Sequence, residues 1–301
     1  MKNLYPLLVG LLLLSCQETS PPVVQSEMFG EGIISSEAPE FSTALSPDER
    51  EVIFNRTAPD RSSMWLMSST FEGGKWTTPD SLPFTDVTYR DIDPFFSTNG
   101  HRLYFSSDRP VDSLNSNNGE FNSWYVERLA SGWSAPLLLD PPLNSDSTEI
   151  FISLSEAGNA YFVSERGDVR GIMVCTYENG VYQDARYLNL RLRGELVYAS
   201  NPCIAPDESF IIVAVRDPEG PGTPDLFVSF NEAGNWSELI NLGPIVNSPY
   251  AEFAPGLSKD QQYLFFTSER PGMLPAQEEG IRPPGDIYRV DIQAVLSGLD
   301  H

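Results

Sequence analysis

Glu40-Phe41-Ser42-Thr43-Ala44-Leu45-Ser46-Pro47-Asp48-Glu49-Arg50-Glu51-Val52-Ile53-Phe54-Asn55-Arg56 reads as an extended strand, a tight turn and a returning strand. Pro47 presets φ for the turn, Asp48 accepts its geometry, and Val52-Ile53-Phe54 is the β-branched and aromatic run of a buried strand. The unit recurs as DIDPFFSTNGHRLYFSSDR over 91–109, EIFISLSEAGNAYFVSER over 149–166, ASNPCIAPDESFIIVAVR over 199–216 and EFAPGLSKDQQYLFFTSER over 252–270. The residues entering the turns, Ser46, Ser97, Ser155, Ala205 and Ser258, follow one another at 51, 58, 50 and 53 residues. A period near fifty is the length of one four-stranded propeller blade.

Each unit continues with a third strand, such as Met64-Trp65-Leu66-Met67 or Asp225-Leu226-Phe227-Val228, and then a Gly-bearing hairpin such as Gly74-Lys75-Trp76 or Gly234-Asn235-Trp236. The recurring hairpin aromatic is expected to pack between blades. The fifth unit reaches Asp286-Ile287-Tyr288 without such a hairpin, while 29–36 upstream of the first unit (FGEGIISS) reads like 242–248 upstream of the fifth (LGPIVNS). The expected fold is therefore all-β: a five-bladed β-propeller of four-stranded antiparallel blades, closed by the N-terminal strand. Closure also removes two sheet edges open to aggregation.

Composition supports this: 41% hydrophobic residues supply a large core, and 22 Gly with 25 Pro supply many turns. A net charge of -23 argues against nucleic acid, whose phosphates would be repelled. The start of the chain is different in kind. Lys2 precedes an apolar run over 4–14, of the length of a signal h-region and too short for a permanent membrane span. Leu13-Leu14-Ser15-Cys16 resembles the bacterial lipobox, which makes Cys16 the lipidation site. The expected organisation is a lipoprotein signal peptide over 1–15, a flexible tether over 16–28 and the propeller over 29–301. The expected location is the cell envelope, at the outer membrane on its periplasmic or surface face, with the lipid as the membrane contact and the body a monomer.

The repeats resemble the WD40-like PD40 repeats of TolB-like propellers, here those of Bacteroidetes envelope lipoproteins. The resemblance rests on Ser46-Pro47-Asp48-Glu49, Phe105-Ser106-Ser107-Asp108-Arg109, Phe266-Thr267-Ser268-Glu269-Arg270 and Gly285-Asp286-Ile287-Tyr288, and covers 29 to about 296. It implies the fold and a binding scaffold, and says little about chemistry.

Two columns of charge run through the repeat. Glu40, Asp91, Glu149 and Glu252 open the first strands, with Ala199 in the fourth unit; Arg56, Arg109, Arg166, Arg216 and Arg270 close the second strands. Opposed residues of an antiparallel hairpin have a constant index sum, which brings acid and arginine to the same end of a blade. A structural carboxylate–guanidinium pair is the expectation for Glu40, Arg56, Arg109, Arg166 and Arg270, with the arginines lowering the acids' pKa values. Asp91, Asp93, Glu149, Arg216 and Glu252 are the candidate binding residues at the channel mouth. Asp93 lies outside the pairing, and Arg216 lacks an acid and is expected to be free for an anionic group.

Other chemistry is thin. With only His101 and His301 there is little material for a histidine-dependent triad or metal site, so no metal, cofactor or catalytic residue is assigned. Cys175 and Cys203 are expected as buried free thiols. The function expected from sequence is a non-catalytic scaffold binding an envelope protein or glycan, with specificity in the loops at 109–122 and 270–285. The alternative is a glycoside hydrolase-like enzyme using channel-mouth carboxylates.

Overall fold

The computed structural model describes residues 24–111, 119–167, 170–273 and 283–299; Cys16 and most of the two loops singled out above lie outside them. The chain forms the five-bladed β-propeller. The inner, middle and third strands are Glu40–Leu45, Glu51–Thr57 and Met64–Glu72 in blade one, and Asp91–Phe96, Arg102–Ser107 and Asn122–Leu129 in blade two. They are Glu149–Leu154, Ala160–Ser164 and Gly171–Cys175 in blade three, and Ala199–Ile204, Phe210–Val215 and Asp225–Glu232 in blade four. Blade five has Glu252–Leu257, Tyr263–Ser268 and Asp286–Asp291, and all these pairings are antiparallel.

The outer position is split between two short segments. In blade one Lys75–Trp76 folds back on the distal end of the third strand, with Phe71 opposite Trp76, and Asp80–Ser81 then comes alongside Ser68 and Met67. Gly73 and Gly74, at φ 58° and 83°, take the left-handed backbone that this reversal needs. Blade five receives its outer strand from the other end of the chain: Glu27 pairs with Arg289 and Met28 with Tyr288. The closing strand is thus Glu27–Met28, so the folded body begins within the stretch read as tether. Phe29 locks the closure, with its ring edge-on to Trp76 at 5.5 Å and to Phe265 at 4.9 Å.

The apolar core is a series of five slabs, each between neighbouring blades. The hairpin aromatics belong to these slabs. Trp76 stands edge-on to Phe29 in the slab of blades five and one, Trp133 joins the slab of blades one and two beside Phe96, and Trp236 packs against Tyr161 of blade three. Phe54, Phe105, Phe162 and Phe266 occupy one equivalent, fully buried place in the middle strands, which blade four fills with Val213. Cys175 and Cys203 are buried and unbonded, and burial pushes their thiols up to about 11 and about 12. A six-residue helix, Ile292–Ser297, follows the last strand; Asp291 caps it by accepting from the Ala294 amide, and Ile292, Val295 and Leu296 face the core.

Candidate active site in the central channel

Every inner strand carries a bulge at its third residue, and that residue is left-handed: Ser42, Asp93, Phe151, Asn201 and Ala254 have φ between 49° and 57°. Left-handed backbone at five non-glycine residues is unfavourable locally and must be held by tertiary contacts. In three blades the contact is an amide hydrogen bond to the preceding blade. Ser42 N donates to Thr267 Oγ1 at 3.0 Å, Asp93 N to Asn55 Oδ1 at 2.9 Å and Phe151 N to Ser106 Oγ at 3.0 Å. Thr267, Asn55 and Ser106 each follow the buried middle-strand Phe; the corresponding Val163 and Ala214 carry no acceptor for Asn201 and Ala254.

The bulges turn the inner strands around a central cavity of about 90 Å³, bounded in part by Ser42, Asp93, Phe151, Glu156 and Lys259. Asp93 and Glu156 are its two carboxylates. Asp93 is 6% exposed. Burial raises its pKa to about 7, against a smaller lowering by a Ser42 hydrogen bond, and no arginine or lysine among the described residues forms an ion pair with it. Burial thus favours the protonated acid at this place in the cavity wall. This is the state a general acid requires.

The remaining candidates do not gather with Asp93. Asp91, Glu149 and Glu252 have fully covered side chains and face Arg109, Arg166 and Arg270 at 2.7, 3.0 and 3.2 Å; Glu40 faces Arg56 at 2.9 Å. Each column arginine also lies 5.2 to 5.7 Å from the centroid of its blade's buried Phe ring. A serine four residues ahead completes the cradle in three blades: Ser36, Ser145 and Ser248 each donate both amide and hydroxyl to Glu40, Glu149 and Glu252. Val87 stands at that place in blade two, and Asp91 Oδ2 is left buried without a partner. The expected lowering of the acids' pKa values is reversed at Glu40 and Asp91, because burial outweighs the arginine; Glu40 rises to about 7.

Blade four departs in register. Asp91, Glu149 and Glu252 pair with Ser107, Ser164 and Ser268, and their arginines lie two residues further on. Ala199 pairs with Val215, so the two-further place holds Asp217, and Arg216 stands where blades two, three and five have Asp108, Glu165 and Glu269. The ion pair is accordingly inverted. Buried Asp217 accepts from Arg193, at 2.6 and 3.0 Å, on the extra hairpin Arg191–Leu192/Glu195–Leu196. Arg216 is exposed, with no ion pair among the described residues. Glu156 and the Arg193–Asp217 pair were not singled out from sequence, since only the ring geometry brings Glu156 to the channel and only the register moves Asp217 into the column.

No protein-family model matches the chain, and no curated protein matches it. Solved structures do. The chain is similar to an α-L-arabinofuranosidase from Lactobacillus brevis, at 10% identity over 87% of this chain and 93% of that one with a TM-score of 0.55. It is similar to a GH43_1 enzyme from Xanthomonas citri at 9% identity, 89% and 91% coverage and a TM-score of 0.52. A putative TolB from Agrobacterium tumefaciens aligns at 16% identity, 77% and 71% coverage and a TM-score of 0.49. Likeness at such identities defines the fold. The propeller enzymes among these neighbours are the finding that stands against the expected non-catalytic protein- or glycan-binding scaffold, and the channel-carboxylate alternative is carried forward.

Proposed function

We propose that this propeller is a carbohydrate-active enzyme that hydrolyses a glycosidic bond, with Asp93 as the proton donor. The observation that carries the reading is the place of the Asp93 carboxyl, buried in the wall of the central cavity without an ion pair among the described residues, where burial raises its pKa. Hydrolysis of a glycoside calls for one carboxylic acid to protonate the leaving oxygen and a second carboxylate to assist attack at the anomeric carbon. Glu156, which lines the same cavity, is assigned the second role. In this scheme the Asp93 proton passes to the glycosidic oxygen as the C–O bond breaks. Water, deprotonated by Glu156, forms the new bond, so the products are the freed alcohol and a reducing sugar.

The enzymes of like fold make arabinofuranosides and xylosides the first substrates to try. Wild type should release the aglycone from at least one aryl glycoside of that panel. Asp93→Asn, which keeps shape and the left-handed backbone, should lower turnover by a factor of about 10²–10⁴. A panel left wholly uncleaved by wild type, or equal turnover by the variant, would overturn the assignment.

The location belongs to the same proposal: an exported enzyme held at the envelope by lipid on Cys16. Cys16→Ser should move the protein from the membrane pellet to the soluble fraction of a bacterial expression host. A variant that still sediments with membranes would count against the anchor.

A further inference from the structure

We propose that the groove between blades three and four binds a uronate unit of an acidic glycan, which rests on the glycan-active reading of the channel. The groove, about 220 Å³, is bounded in part by Arg170, Gly171, Tyr187, Leu196 and Tyr198. Its two tyrosines are unusually open for their size, with Tyr187 39% and Tyr198 41% exposed. Both rings are also held in place. One edge of the Tyr187 ring sits against Gly171, where an added Cβ would meet it at 3.4 Å, and its hydroxyl donates to the Arg166 carbonyl at 2.9 Å. Tyr198 is covered on one side by the Arg170 guanidinium, 5.4 Å from the ring centroid. Rigid aromatic faces beside a few polar groups are what a pyranose, with one apolar face and a rim of hydroxyls, requires of a site.

Arg216 supplies the charge selectivity. The register that pairs Ala199 with Val215, continued one residue further, sets Arg216 across from Tyr198, where it borders the adjoining hollow of Asp217, Pro218 and Gly220. In blades two, three and five the equivalent residues are acids that already hold an arginine: Asp108 with Arg90, Glu165 with Arg170 and Glu269 with Arg61. Blade four reverses that sign close enough to Tyr198 for the Arg216 charge to act on its phenol, in a chain whose net charge is -23. A guanidinium fork without an ion pair, beside a ring-stacking surface, matches a sugar carboxylate. A groove of this size suits one or two sugar rings, whereas a stable protein interface takes roughly 1,000 Å² or more.

Calorimetric titration of the full chain in detergent with an oligogalacturonate, its methyl ester and a neutral xylo-oligosaccharide tests this. The acid should bind about tenfold tighter than the ester, a preference worth about 1.4 kcal/mol. Arg216→Gln should erase that preference, Tyr198→Ala should weaken acid and ester alike, and Tyr198→Phe should retain both. Equal affinity for acid and ester, an unchanged preference in Arg216→Gln, or equally tight binding of poly-glutamate would overturn the subsite. The two proposals separate cleanly. A uronate preference without hydrolysis keeps the subsite and removes the catalytic reading, whereas hydrolysis lost in Asp93→Asn without a uronate preference does the reverse.

Discussion

Arg109→Ala is expected to lose about 3–5 kcal/mol of stability at pH 8, the range for stripping one partner from a buried ion pair. Asp91 is the column acid least able to survive the loss. Its side chain is fully covered, its Oδ1 takes Arg109 Nη2 at 2.7 Å, and Oδ2 has no partner. Arg166→Ala removes the same guanidinium in blade three but leaves Glu149 with the Ser145 amide and hydroxyl and the Ser164 hydroxyl, so its loss should be smaller. Arg102→Ala breaks a pair whose two side chains are each 44% exposed, and should change stability by less than about 1 kcal/mol. The pH dependence carries the diagnosis. Asp91 already has a raised pKa through burial, so acidification protonates it and relieves the unpaired charge; the Arg109→Ala deficit should shrink towards pH 4. Urea denaturation of the three variants at pH 8 and pH 4 measures this, and equal losses for Arg109→Ala and Arg102→Ala would refute the buried-pair account.

Asp93→Asn should be more stable than wild type at pH 8 and indistinguishable from it below about pH 4. The folded protein holds the Asp93 proton up to about pH 7, whereas the unfolded chain releases it near the ordinary 3.8. Between those values the native state binds the extra proton, so wild-type stability falls as pH rises and levels off above pH 7. The rise from 3.8 to about 7 corresponds to at most about 4 kcal/mol at pH 8. Asn carries no charge to desolvate and tolerates the left-handed backbone at this position, so it removes the penalty without adding strain. Glu40, also raised to about 7, is present in both proteins and cancels in the difference. Together with loss of turnover, this opposite movement of stability and activity marks a strained functional residue. A variant less stable than wild type at pH 8 would place Asp93 among the structural polar groups instead.

Much of the architecture is legible in one dimension because a propeller repeats its instructions. The fifty-residue period, the turn residues Ser46-Pro47-Asp48-Glu49 and the aromatic middle strands each state the same blade, and their agreement outweighs any single ambiguous stretch. The acid–arginine pairs at Glu40, Asp91, Glu149 and Glu252 follow from the same counting. Counting fails where a blade adds or omits a residue. Arg216 aligns with the column arginines by eye, yet the register set by Ala199 opposite Val215 gives their place to Asp217. The closing strand likewise starts at Glu27, two residues before the repeat-like stretch, since pairing with Tyr288 and Arg289 decides it.

Blade count, strand order within a blade and the identity of the paired charges follow from local periodicity and from neighbours within one hairpin, which the residues state directly. Which carboxyls are sealed against an arginine and which line the central cavity depends on the closed ring. Asp91 and Asp93 are two residues apart on one strand, yet the bulge held by Asn55 of the neighbouring blade leaves Asp91 sealed against Arg109 and Asp93 in the channel wall. Burial is a property of the closed ring, and the same carboxylic acid is a structural anchor or a proton donor according to which side of that wall it occupies.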